Sequence, residues 1–259
     1  MGISKFISTV TIAALLLGDA VGAHAKKGGD VNARDKDDQT ALMRAAAAGN
    51  TDEVKDLIAA GADVNSTVQA QSAAMVIAHK RTPPVATLGQ TALMMAAAGG
   101  HAEVVSQLLA AHANVNAAAR DSRTSLIFAS QSNIDVVKLL LHAGANLEAR
   151  FLFPMSITRT LKSRPTNLAP GETFHGVDSN GAIMTITTSP AGEVQETLSG
   201  GICQTAVTWA ALGGNAEIVQ LLLDAGASPA GCEVTALEAA KAEHHQKVVD
   251  LLVARGVKE

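Results

Sequence analysis

Aromatic side chains are nearly absent from the 259-residue chain, which has no Tyr, one Trp and five Phe, 2% of the total. Sugar-binding and single-strand-binding sites use such rings as stacking platforms, so recognition by stacking is disfavoured. Two cysteines are too few for a disulfide scaffold and cannot make a four-cysteine zinc site. A basic excess is missing as well: 20 Lys and Arg stand against 24 Asp and Glu, for a net charge of −4. Nucleic acid is therefore not an expected partner, because phosphate neutralisation needs that excess. What the chain does have is aliphatic residues. At 47% hydrophobic and 17% charged it can bury a sizeable core, in one large domain or two small ones.

The first 25 residues differ from the rest. One cation, Lys5, precedes an apolar run from Phe6 to Leu17, and Ala23-His24-Ala25 closes the segment. A cationic start, an apolar stretch too short to span a bilayer and a small-x-small end read as a secretory signal cleaved after Ala25. No cysteine follows the run to carry a lipid anchor, and no later segment approaches a membrane span. The expected location is the bacterial periplasm or the cell exterior, where a disulfide can persist.

From Thr40 onward the chain repeats. Thr40, Thr91, Thr124, Thr205 and Thr235 each open one pattern: apolar two places on (Leu42, Leu93, Leu126, Val207, Leu237) and alanine five places on (Ala45, Ala96, Ala129, Ala210, Ala240). This predicts a short helix with a small, closely packed face. A second apolar set at i, i+3, i+4 predicts a second helix: Val54/Leu57/Ile58, Val105/Leu108/Leu109, Val137/Leu140/Leu141, Val219/Leu222/Leu223 and Val249/Leu252/Val253. Gly61, Gly144, Gly226 and Gly256 follow three residues later, where a helix end needs a left-handed residue. His112 takes that place in the second repeat, so its turn is expected to be strained or built differently. Arg44 replaces the apolar Met95, Phe128 and Trp209 of the inner repeats, and Lys241 replaces a small residue, as solvent-facing end repeats require.

The closing Gly61-Ala62-Asp63-Val64-Asn65, Gly89-Gln90-Thr91-Ala92-Leu93 with Gly100-His101 and Val115-Asn116, and Gly144-Ala145-Asn146 resemble the ankyrin repeat. The resemblance covers about half to two thirds of the chain. Ala or Ser stands where the family has Pro after Thr, and Met43, Met94, Ile127, Thr208 and Glu238 stand where its His usually sits. The consensus Thr-to-His hydrogen bond is thus missing. The expected fold is an all-α repeat solenoid, an ankyrin stack of five helix-turn-helix repeats with hairpin connections and a β-hairpin-containing insertion. Residues 26–259 form one repeat domain in this reading, with repeats at about 35–66, 86–118, 119–149, 200–229 and 230–259. Asp30-Val31-Asn32 repeats the closing motif ahead of the first helices, as a partial hairpin.

Two steps break the period. Thr91 to Thr124 is 33 residues, but Thr40 to Thr91 is 51 and Thr124 to Thr205 is 81. The excesses form insertions at about 67–84 and 150–199, both at the hairpin connection, where extra chain can leave the stack without breaking helix packing. Ala73 to Ala78 could form a short helix in the first, before Pro83-Pro84. In the second, Arg150, Arg159, Lys162 and Arg164 alternate with apolar residues and no acid, and Thr173–Asp178 and Ala182–Thr188 flank Ser179-Asn180-Gly181, a hairpin signal. Two readings stay open and are compatible. The insertion protrudes and meets a partner of acidic or mixed surface, with Arg150, Phe151, Phe153, Arg159, Lys162 and Arg164 as contacts, or it folds down with Phe151, Phe153 and Phe174 as a satellite core.

Catalytic, cofactor and metal groupings are not found. The histidines do not cluster: His101 sits at a turn, His112 and His142 at helix ends, and His244-His245 point to different sides of a helix. No Gly-x-Ser-x-Gly, His-Glu-x-x-His or phosphate-cradling glycine loop occurs. Asp35-Lys36-Asp37-Asp38 lacks a calcium loop's ligand order and reads as a solvated hairpin tip. Cys203 and Cys232 fall at neighbouring hairpin positions of the last two repeats, which suggests a disulfide. The bond needs Cα atoms about 4.4–6.8 Å apart, whereas equivalent stacked hairpin residues lie roughly 10 Å apart. A one-residue offset and hairpin twist must close the gap.

The expected function is a non-enzymatic protein-binding module. Family resemblance suggests two periplasmic roles: an immunity-type inhibitor of a toxin, which the long insertion favours as a plug for a cleft, or a helper that supports an enzyme such as a catalase. An enzyme using Glu172, His175 and Asp178 is disfavoured, because so small an insertion lacks a supporting shell. Membrane-surface binding through Arg150 to Lys162 lacks a sustained helical apolar face. A capped stack needs no second chain, so a monomer is expected.

Overall fold

In a computed structural model, residues 30–69, 88–131, 133–161, 173–177, 183–189, 194–230 and 234–257 are described. The expected export signal at residues 1–25, Ala73 to Ala78, Lys162, Arg164, Glu172, Asp178 and Cys232 lie outside the described residues. The five threonines precede five helices, and in four of them the extended Thr turns its hydroxyl onto the next turn's free amide. Thr40 Oγ1 accepts from the Met43 amide at 3.3 Å, Thr91 from Met94 at 3.3 Å, Thr205 from Thr208 at 3.4 Å and Thr235 from Glu238 at 3.1 Å. In the last two repeats the residue at the missing-histidine position completes a capping box. The Thr208 hydroxyl accepts from the Thr205 amide at 2.7 Å, and Glu238 from the Thr235 amide at 2.9 Å. The loss of the consensus histidine is thus made good locally there.

Ten helices result among the described residues, two per repeat: α1 (Ala41–Ala48) and α2 (Thr51–Ala59), α3 (Ala92–Gly99) and α4 (Ala102–Ala110), α5 (Ser125–Ala129) and α6 (Ile134–His142), α7 (Ala206–Leu212) and α8 (Ala216–Asp224), and α9 (Ala236–Ala242) and α10 (Gln246–Ala254). The all-α repeat architecture is as expected. Four strands join it: β1 (Phe151–Leu161), β2 (Thr173–Val177), β3 (Ile183–Thr188) and β4 (Val194–Gln204). Contacts divide the chain between Asn146 and Leu147 into an N-terminal unit with the first three repeats and a C-terminal unit with the sheet and the last two.

Within the N-terminal unit, α3 packs between α1 and α5. The five-on alanines allow this, since Ala45, Ala96 and Ala129 are at most 2% exposed. Beyond the first repeat, the second helices bury a slightly different stripe from the expected one. Val105, Val137 and Val219 are joined in the core by the residue before them, Val104, Val136 and Ile218, and in the last repeat Val248 is buried, while Val253 is 54% exposed. The i, i+1, i+4 set is buried in α4, α6 and α8, whereas α2 keeps Val54 and Leu57 at the expected spacing.

Side-chain rungs tie the repeats together. Asn32 accepts from the Asp63 amide at 2.8 Å, Asn65 from Asn114 at 2.7 Å and Asn116 from Asn146 at 2.7 Å. Asp30-Val31-Asn32 therefore supplies a rung to the first repeat. A second row runs along the helix turns, where His101 Nε2 lies 3.1 Å from the Ala47 carbonyl oxygen and Asn133 donates to Gly100 at 3.0 Å. Gly49 is needed beneath His101: its φ is 71°, and a Cβ there would lie 2.5 Å from the ring. In the C-terminal unit His245 makes the same contact with the Leu212 carbonyl at 2.9 Å, and Glu148 accepts from the Ser228 amide at 2.8 Å.

Two local faults give direct predictions. His112 has φ 63°, where the other repeats place glycine at 77° to 95°. His112→Gly is expected to raise stability by about 0.5–1 kcal/mol, read by denaturant unfolding, because glycine removes the left-handed penalty. In the third repeat Thr124 makes no cap, α5 is only five residues long, and the hydroxyls of Thr124 and Ser125 are buried without a hydrogen-bond partner. The other repeats carry Ala41, Ala92, Ala206 and Ala236 where Ser125 stands. Ser125→Ala should add about 1 kcal/mol in the same measurement, since it deletes an unsatisfied buried hydroxyl without changing shape.

Candidate partner-binding site

The larger insertion is a four-stranded antiparallel sheet in the order β1-β4-β3-β2. The expected hairpin is its β2–β3 half, with Thr173 opposite Thr187 and Val177 opposite Ile183. The rest was not foreseen. Arg150 to Arg164 read as a cationic segment, but Phe151–Leu161 is a strand, paired along its whole length with β4, from Phe151↔Gln204 to Leu161↔Val194. Strand β4 runs directly into Thr205, the cap of α7. The sheet is thus continuous at its root with the fourth repeat.

That root is packed. Phe151 is 2% exposed, and its ring meets Trp209 of α7 edge-on, centroids 5.2 Å apart at 89°. Such a pair adds about 0.5–1.5 kcal/mol beyond area burial. Of the candidate contact residues, Phe151 therefore anchors the sheet and offers no open surface, while Arg150 beside it is exposed. Phe153 lies in β1 opposite Ile202, and Arg159 opposite Glu196. One face of the sheet is covered at Ile186, Thr188 and Gln204. Thr173, Thr187 and Gln195, in register on the other face, are exposed.

In the N-terminal unit, the position that carries Trp209 in the fourth repeat holds Arg44, Met95 and Phe128. Arg44 pairs with Asp35, and Arg123 stacks its guanidinium 4.4 Å over the Phe128 ring while pairing with Asp121 at 2.6 Å. Cation–π stacking of this kind holds the hairpin over the helix. The acidic tip at Asp35 to Asp38 is less solvated than its composition implied. Asp35 accepts from the Asp37 and Gln39 amides at 2.9 Å, and Asp38 accepts from Arg34 at 2.9 Å and from the Gln69 amide at 2.5 Å. Asp35 is thus committed to its turn and Asp38 to Arg34 and the Gln69 amide, while Lys36 and Asp37 at the tip stay exposed.

No group of three or more His, Cys, Asp or Glu is placed to hold a metal ion among the described residues. His175 stands in β2 opposite Thr185. No helix among the described residues is long and apolar enough to cross a membrane. Cys203, at the end of β4, is disulfide-bonded. The sequence holds one other cysteine, Cys232.

Three repeat models decide the family. A model of ankyrin repeats in many copies matches residues 42–109, one of three copies matches 77–150, and a single-repeat model matches 203–231. The chain belongs to the ankyrin-repeat family. Its matched stretches lie on both sides of the inserted sheet, so the sheet interrupts the ankyrin pattern, which resumes after it. No curated protein is significantly similar to the chain. Ankyrin repeats make it a protein–protein interaction module.

Proposed function

We propose that this module acts in the periplasm, where it binds a partner protein through the inserted sheet and inhibits it in the manner of an immunity protein. The observation that carries this reading is the sheet itself, a long addition that the repeat period does not require, packed at its root through Phe151 and Trp209. Insertions of this length that leave a regular stack are characteristically functional. The three-part N-terminal pattern and the disulfide at Cys203 support an exported, oxidising setting. A sheet held on a rigid stack suits occlusion of a cleft.

The test is purification of the partner from the periplasm on the mature chain, followed by assay of that partner with and without it. Loss of the partner's activity in the complex supports inhibition. A rise in its activity or thermal stability replaces inhibition with the helper role.

A further inference from the structure

Strand β1 lies at the edge of the sheet, with β4 on one side and no strand on the other among the described residues. In an antiparallel ladder, alternate residues turn both backbone polar groups away from the partner strand. Pro154, opposite Gly201, has no N–H to give β4, so it occupies an outward position, and with it the other even-numbered residues. Ser156, Thr158 and Thr160 therefore hold outward N–H and C=O groups two residues apart, an open template beyond the proline. The opposite edge, β2, is only five residues long, against eleven for β1. Charge selects among possible occupants: from Arg150 to Leu161, the strand and the residue before it, the sequence has two cations and no acid. Arg159 stands opposite Glu196 in the ladder, and Arg150 is exposed.

Resting on the reading that the sheet is the binding element, we infer that the partner engages it by strand addition, an acidic extended segment pairing with the outward backbone groups of β1. A second copy of this chain fits less well, since it would set two cationic edges side by side.

The probe is a short fluorescein-labelled peptide alternating Glu with Val, compared by anisotropy with its Lys-for-Glu twin on the mature chain. The Glu peptide is expected to bind and the Lys peptide to bind at least about tenfold more weakly. Thr158→Pro deletes an outward amide without touching the β4 ladder and should weaken binding roughly tenfold or more, whereas Thr158→Ala should leave it unchanged. Ser156→Pro repeats the test at a second outward position should Thr158→Pro not fold. Hydrogen exchange needs no variant: the amides of Ser156, Thr158 and Thr160 are expected to exchange quickly in the free chain and slowly with the Glu peptide bound. Slow exchange in the free chain, equal binding of both peptides, or a dimer that Thr158→Pro dissociates overturns the inference. If replacing residues 151–200 abolishes capture of the periplasmic partner while Thr158→Pro retains it, strand addition is wrong and the proposed function stands. If both retain it, the proposed function itself is wrong.

Discussion

Reduction of the disulfide at Cys203 is expected to cost the C-terminal unit about 3–4 kcal/mol, the largest single loss of stability that we predict. Cys203 lies at the end of β4, one residue from the Gln204–Thr205 entry into α7, and is 6% exposed. Cys232 is the only other cysteine in the sequence, and a bond between the two would close a span of 30 residues that contains α7 and α8. Closing a loop of that length removes unfolded-state entropy of the stated size. The loss should be local. Hydrogen exchange with and without reductant should show the last two repeats opening more readily while α1 to α6 keep their protection. Two free thiols by mass spectrometry of the non-reduced mature chain would exclude the bond.

Ala96→Leu should destabilise the N-terminal unit by about 2–3 kcal/mol, the upper end for overpacking. Ala96 is fully buried in α3, and α3 has a neighbouring first helix on each side, so the added side chain finds no free direction. In a core with one loose wall the helix could retreat, whereas here a shift away from α1 is a shift into α5. Ala48→Leu, at an exposed position of α1, serves as the control and should change stability by less than about 0.5 kcal/mol. Thermal unfolding of the two variants separates a packing effect from a change in helix propensity.

The repeats were legible because each fold requirement falls on a single residue type at a fixed place. Thr at the cap, Ala where first helices touch and Gly at the left-handed turn repeat five times with few exceptions, and His112 shows its strain in the structure as the sequence implied. The sheet was legible only in its tight hairpin, where an Asn-Gly turn separates two alternating runs. Strand β1 was hidden by Pro154 and by Leu152 among the odd-numbered Phe151, Phe153, Met155 and Ile157, which break strict alternation. Strand β4 was hidden by Gly200 and Gly201, which read as a loop. A proline within an alternating run marks an edge strand, and that signal was present. The Phe151–Trp209 anchor could not be read at all, because nothing local links two aromatics on either side of a sheet whose register was unknown.

The proposal that the inserted sheet is the binding element is tested most directly by capture of a periplasmic partner on the mature chain beside a version with residues 151–200 replaced by a short turn. The account predicts one protein retained by the intact chain and lost from the shortened one, with both folded by circular dichroism. Equal retention by the two would contradict it and move the binding site to the repeats.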